Sequence, residues 1–312
     1  MPLPVPFPAA RYRLEFTTEQ PIRLPEYAGS ALRGAFGHAL KQIACVTRER
    51  NCAACALYRT CAYPAIFETP PPLDYARRKL SNVPLPFVVE PPPWGEREHA
   101  AGSTLNFSTV LIGPALSQLP LLLMAWRRAL QLGLGPQQGT ARLDRVFVEG
   151  ETEPVLADAA AGVRPHAQQL PLPPPTPAPR SVTLIFDTPL RLQRGGQLLG
   201  VGELKTHDLL RALLRRVAEL VELQLGGTLD VDFAALSAHA ATVTGQAQLT
   251  WRDWTRQSNR QQQRMVLGGA VGRWTLHGDL APFWPLLHLG QWLHVGKNAT
   301  FGLGRYRIEE AK

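Results

Sequence analysis

Lysine is scarce in this chain: Lys41, Lys79, Lys205, Lys297 and Lys312 are all it has. The 33 basic residues are therefore nearly all arginine, set against 25 acidic ones, for a formal net charge of +8 and a pI of about 9.7. Arginine forks suit phosphate and stack on bases, so nucleic acid is the leading partner class. Long apolar runs are missing as well. The strongest, "LPLLLMAW" at 119–126, runs straight into Arg127 and Arg128. It is too short to span a membrane and predicts a buried helix. The opening "MPLPVPFPAARYRLEF" is proline-rich, carries its first positive charge at Arg11 and shows no secretory signal. A soluble cytoplasmic protein without a membrane partner is expected. Two nucleotide-binding signatures are also absent. The loop "HVGKNATFGLGRYRI" (294–308) has glycines and a lysine, but not the order of a P-loop, and no helix follows it as a P-loop or dinucleotide loop requires.

Cysteine is sparse and confined. Cys45, Cys52, Cys55 and Cys61 all fall within "CVTRERNCAACALYRTC". In a cytosolic chain such clustering argues for metal ahead of disulfides. Tetrahedral zinc needs four thiolates about 2.3 Å from the ion, and one C-x-x-C turn supplies two. An iron–sulfur cluster also takes four cysteines, and unmetallated thiols are the third reading. No His or acidic group opens the set, so a closed, structural site is expected in place of a catalytic one.

With 312 residues, 45% of them hydrophobic and 19% charged, the chain is long enough for two globular domains. "ARYRLEFTTEQ" (10–20) alternates as a strand does, and "SALRGAFGHALKQIA" (30–44) reads as a helix capped by Ser30. "LPFVVEP" and "STLNFSTVLIG" are strand candidates. A helix over 115–133, with Pro120 in its first turn, precedes a Gly-rich loop and the strand "ARLDRVFVEG". Residues 161–180 are rich in Pro and Ala and read as an extended linker. The order then restarts: strand 181–193, helix 206–226 capped by Thr206, strands within "TVTGQAQLTWRDWTR" and "GRWTLHG", a short helix 280–293 interrupted by Pro285, the glycine loop and a final strand. This predicts an α+β protein of two tandem ferredoxin-like, RRM-like β-α-β-β-α-β domains. The first is placed at 1–160 with a small cysteine-rich insertion at 45–61, the second at 181–312.

In a ferredoxin-like unit such a glycine loop joins the second helix to the last strand. Glycines permit positive φ and close backbone approach, and successive free N–H groups can cradle phosphate. Lys297, Arg305 and Arg307 add positive charge. An RNA backbone or hairpin is the expected ligand; a tight structural connection is the competing reading.

Four stretches carry a family resemblance: "GSALRGAFGHALK" (29–41), the cysteine run ending "CAYPAIFE" (61–68), "RQSNRQQQRMVLGGAVG" (256–272) and "GDLAPFWPLLHLGQWLHVGKNATFGLGRY" (278–306). The chain resembles the CRISPR-associated endoribonucleases that cut pre-crRNA, the Cas-six family of the RAMP superfamily. The resemblance implies two ferredoxin-like domains facing each other across a basic cleft, with the C-terminal glycine loop touching RNA. It implies CRISPR repeat RNA as substrate, with subunits of a CRISPR effector complex as further partners. It also implies metal-independent cleavage: the ribose 2′-OH attacks the adjacent phosphate, leaving a 2′,3′-cyclic phosphate and a 5′-OH, with the product retained.

That reaction needs a base, an acid and a cation for the phosphorane, and histidine is the natural proton carrier. Relatives often place a His in or near the first helix, with a Tyr before it and a Lys after it. Tyr27, His38 and Lys41 follow that order here. On a helix His38 and Lys41 share a face, with Arg33 about a turn earlier. RNA contacts are expected from Arg33, Arg256, Arg260, Arg264, His294, Lys297, Gly302, Gly304 and Arg305. Arg252, Arg256, Arg260 and Arg264 recur every fourth residue, so they fall on one face of a helix or of a hairpin alike. Trp251 and Trp254 could stack bases, with at least one expected in the core. His99, His166, His207, His239, His277 and His288 are read as structural, and Asp230 and Asp232 as turn and strand-start residues. Two alternatives stand beside the enzyme. One is a non-catalytic crRNA-binding subunit of the same fold; the other is a basic, zinc-stabilised scaffold that binds a protein.

Overall fold

The computed structural model describes residues 6–73, 83–158, 162–171, 178–258 and 263–310. The chain divides into two compact units. One is Pro8–Gln169 with Leu223–Gly226, and the other takes the rest.

In the first unit, β1 (Ala9–Thr18), α1 (Gly29–Ala44), α2 (Ala62–Phe67), β2 (Phe87–Glu90), β3 (Thr104–Ile112), α3 (Leu119–Gln131) and β4 (Ala141–Val148) follow in order. The sheet runs β2-β3-β1-β4, with every neighbour antiparallel. Alternation along β1 sets its faces. Tyr12, Leu14 and Phe16 are fully buried, while Arg13 on the opposite face is exposed. Against the buried face lie the apolar stripes of α1 (Leu32, Phe36, Ala39, Leu40) and α3 (Leu119, Leu122, Leu123, Trp126, Ala129, Leu130). Trp126 stacks on Phe36 at 4.6 Å and meets Phe107 edge-on at 4.8 Å. The run "LPLLLMAW" is thus a core helix.

The second unit repeats the plan with β5 (Ser181–Leu190), α4 (Thr206–Gln224), α5 (Phe233–Ala240), β6 (Thr244–Ser258), β7 (Gln263–His277), α6 (Trp284–Leu293) and β8 (Tyr306–Glu310). Its sheet order is β6-β7-β5-β8, again antiparallel throughout. Both units therefore have the β-α-β-β-α-β order expected from the sequence.

Local details differ from expectation at helix starts. Ser30 lies inside α1, whose N-cap position is Ala28. Thr206 is likewise inside α4, and the Lys205 N–H is met by the Asp208 carboxylate at 3.1 Å. Pro285 opens α6 and does not interrupt it, as proline's missing N–H allows in a first turn. Asp232 starts a helix in place of a strand, accepting from the N–H groups of Ala234 and Ala235. Among the described residues no helix is long and apolar enough to cross a membrane.

One ion pair anchors the first sheet. Glu90 is 2% exposed and takes the Arg11 guanidinium at 2.9 and 3.0 Å, while Glu149 takes it from the other side at 2.6 Å. Arg11 stays charged: desolvation acts against the guanidinium, but the two carboxylates overcome it and raise its pKa. Glu90→Ala leaves that buried cation half paired, so unfolding by denaturant should show a loss of about 3–5 kcal/mol.

Candidate nucleic-acid interface and proton-transfer site

Helix α1 presents one imidazole to solvent. His38 is exposed on the side of the helix away from the stripe. The Gln42 amide, one turn later, donates to its Nε2 at 2.9 Å. With Nε2 accepting, the neutral ring carries its hydrogen on Nδ1. The adjacent Gly37 is buried because Phe67 packs directly on the helix there; a Cβ at 37 would sit 2.3 Å from that ring.

The other residues expected around His38 are placed differently. Tyr27 is 3% exposed, with its ring packed on Trp94 at 5.2 Å. Arg33 is half-buried and lays its guanidinium over Phe67 at 4.2 Å. Lys41 turns toward the cysteine segment, donating to the Arg50 carbonyl at 3.2 Å and lying 5.4 Å from the Tyr63 ring centroid. Of this group, His38 is the exposed one.

The glycine loop joins α6 to β8 through a series of left-handed residues: His294 (φ 57°), Gly296 (φ 89°), Asn298 (φ 63°), Gly302 (φ 85°) and Gly304 (φ 69°). Its amides are largely used inside the unit. Lys297 N–H donates to Arg191 O, Gly304 N–H to Pro189 O, Val295 N–H to Gly304 O and Gly302 N–H to Ala299 O. Thr188 Oγ1 donates to Gly302 O at 2.7 Å and accepts the Arg305 N–H at 2.9 Å. Gly302 and Gly304 are thus buried in the loop, with their N–H groups used inside the unit. The expected RNA contact at His294 is corrected. The side chain has no exposed surface, and its Nδ1 pairs with Leu303 O at 3.2 Å. What the loop offers outward is charge: Lys297 and Arg307 are exposed and Arg305 half-buried. Below it, Arg216 donates to the Leu293 carbonyl at 3.2 Å; desolvation by burial pulls its pKa down to about 10, against Glu219.

The arginine-rich stretch is the β6–β7 hairpin. Arg252 is exposed on β6. Arg256 and Arg264 sit within the paired strands, opposite Met265 and Gln257, and Arg260 lies outside the described residues. The two tryptophans separate. Trp254 is core at 5% exposed, whereas Trp251 is 38% exposed and donates to Asp253 at 2.8 Å. Gly268 makes room for that indole, since a Cβ there would be 2.3 Å from its Nε1.

Three of the remaining histidines are tied down. His166 meets the Tyr12 hydroxyl at 2.8 Å, His239 the Asp279 carbonyl at 2.9 Å and His288 the Pro171 carbonyl at 2.9 Å. Burial lowers the His288 pKa, opposed by that carbonyl. Sequence reasoning missed Gln42, Thr188 and Arg191. Gln42 was legible as the i+4 neighbour of His38. Thr188 and Arg191 act on a loop more than a hundred residues away and carry no local signal.

A family model for the CRISPR-associated endoribonuclease Cas6 matches residues 184–306. A second, described as an N-terminal domain, matches residues 7–168. Solved structures share the fold along nearly the whole chain. A Cas6 product complex aligns at 19% identity over 96% of this chain and 100% of that one, TM-score 0.59. Cas6 of Thermus thermophilus aligns at 17% identity over 97% and 99%, TM-score 0.55. A partial Cas6-RT-Cas1–Cas2 complex aligns at 14% identity over 97% and 46%, TM-score 0.58. No curated protein matches the sequence. The solved structures share the double ferredoxin-like fold, and residues 184–306 belong to the Cas6 family of CRISPR-associated endoribonucleases.

Proposed function

We propose that the chain cuts CRISPR precursor RNA within the repeat, by attack of a ribose 2′-OH on the adjacent phosphate. The O–P bond to the 2′-oxygen forms as the bond to the 5′-oxygen breaks, leaving a 2′,3′-cyclic phosphate and a 5′-OH. This in-line transfer needs a proton taken from the 2′-OH and one delivered to the leaving oxygen; a metal ion is not a required participant. The observation that carries the reading is the exposed imidazole of His38, positioned by Gln42 on α1 of a chain whose residues 184–306 belong to the Cas6 family. On this exposed ring the Nδ1–H serves as donor to a substrate oxygen, and a substrate hydroxyl that displaces Gln42 gains the Nε2 lone pair. Lys297, Arg305 and Arg307 on the loop, with the hairpin arginines, are proposed to hold the RNA backbone, and Trp251 to stack a base. A structural relative solved as a product complex supports retention of the cut RNA. Another, solved as a Cas6-RT-Cas1–Cas2 complex, supports CRISPR proteins as partners.

The test is a cleavage assay in EDTA on a labelled repeat RNA from the protein's own locus, beside a substrate with a 2′-deoxy at the cut site. A discrete cut that the 2′-deoxy abolishes is expected. RNA affinity should fall on raising salt from 50 to 200 mM, with a log–log slope set by the number of phosphates contacted; a flat salt response would remove RNA as the ligand. The non-catalytic crRNA-binding reading has one observation in its favour: Tyr27 and Lys41 do not join His38 in one exposed cluster. Tight, salt-sensitive binding with no cut would select it.

A further inference from the structure

The cysteine segment joins α1 to α2 and gathers every thiol of the chain around one spot. Cys45 is the C-cap of α1, its N–H bonded to Lys41 O at 3.0 Å. Cys52 opens a short 3₁₀ turn, closed by the Cys55 N–H on Cys52 O at 3.0 Å and steadied by Asn51, whose side chain accepts from Ala53. Cys61 is the N-cap of α2, its N–H on Leu57 O at 2.8 Å. All four line a single cavity of about 20 Å³, walled otherwise by Val46, Thr47, Leu57, Tyr58, Tyr63 and Pro64, with Glu49 as its one carboxylate. None is in a disulfide. Cys52 is buried and Tyr58 and Cys61 pack against the core of the unit, but Val46 at 78% and Leu57 at 38% are exposed, so burial contributes little to the order of the stretches that carry those two.

The thiols surround the cavity without being drawn together. The Thr47 hydroxyl lies between two of them, 3.4 Å from Cys55 Sγ and 3.9 Å from Cys45 Sγ, and Cys61 Sγ rests 3.8 Å from Ala44 O. Accordingly, among the described residues no three His, Cys, Asp or Glu side chains already stand as a ligand set. An inward shift of the sulfurs and outward movement of Thr47 would complete one.

We propose that Cys45, Cys52, Cys55 and Cys61 bind one zinc ion as four thiolates, which locks the segment between α1 and α2. In that step four S–H groups each release a proton, four Zn–S bonds form and no electron is transferred, so the site gains a net charge of −2. Lys41 beside it, and the exposed Arg48 and Arg50, offset that charge. Two features select zinc. The donors are all sulfur, which favours soft or borderline ions over magnesium or calcium. The cavity the four sulfurs line is small, about 20 Å³, which favours a single ion over a larger cluster. With all four positions taken by protein, the ion would be structural and would leave no site for water or substrate.

The experiment is elemental analysis of the full-length wild-type protein, purified without a metal-affinity tag, then stripped and reloaded with zinc or cobalt(II). About one zinc per chain is expected, released by a mercurial thiol reagent, with cobalt giving the visible bands of a tetrahedral thiolate site. Each of Cys45→Ser, Cys52→Ser, Cys55→Ser and Cys61→Ser should lower zinc content at least about tenfold, while Thr47→Val keeps it. Four thiols that react equally fast with and without zinc in the wild-type protein would overturn the proposal. Stoichiometric iron with sulfide would overturn the choice of ion. Neither readout uses RNA, so the result is independent of the proposed cleavage.

Discussion

His38→Ala should slow single-turnover cleavage of repeat RNA in EDTA by about 10²–10⁴-fold, the range typical of losing a positioned acid or base, while the Kd for the same RNA stays unchanged. The split between rate and affinity follows from the geometry. His38 is exposed and makes its one described hydrogen bond to Gln42, so removing its ring leaves no hole in the core and no buried group unpaired. Gln42→Ala provides the companion. It leaves the imidazole present but free to rotate, so it should lower the rate by less than the loss of the ring, and at unchanged affinity. Unchanged cleavage in His38→Ala would remove the imidazole from the reaction and pass the proton transfers to other groups. Equal loss of rate and affinity would make His38 a binding residue.

The two-unit plan was legible because each half states it by period. β1 alternates, α1 and α3 carry stripes, and the second half repeats the order. Helix starts were misread where a Ser or Thr stood near the boundary. Ser30 and Thr206 lie inside their helices, because chain entry and packing, not the nearest hydroxyl, set the first turn. The candidate site was half legible. His38 stands exposed on α1, as a proton carrier must, yet Tyr27 is inside the core although its position in the chain resembles a catalytic one. Spacing along the sequence does not tell which way a side chain faces when it precedes a helix through a turn. The glycine loop was legible as a place of positive φ and close approach, but not which of its amides are bonded within the unit. The partners that satisfy those amides, Thr188, Pro189 and Arg191, arrive from the end of β5, more than a hundred residues earlier, which no local pattern reveals.

That bracing makes the loop backbone sensitive to substitution. Gly304 is expected to tolerate no side chain. It sits at φ 69°, and a Cβ would be 1.8 Å from the carbonyl oxygen of Val295, the residue whose N–H donates to Gly304 O across the strap. Gly304→Ala therefore combines a left-handed conformation, costing about 1–2 kcal/mol, with an overlap against backbone that cannot rotate away, costing about 1–3 kcal/mol more. The sum is about 2–5 kcal/mol. Gly195→Ala separates the two effects, because Gly195 has φ 59° with nothing within 4 Å of its Cβ position, so it should lose only the conformational part. Denaturant midpoints for the two variants measure the difference. A Gly304→Ala protein as stable as Gly195→Ala would mean that the loop yields at Val295. If the overlap is real, the effect should also reach function, because the displaced strap carries Lys297 and Arg305, and RNA affinity should drop in Gly304→Ala while Gly195→Ala binds as wild type.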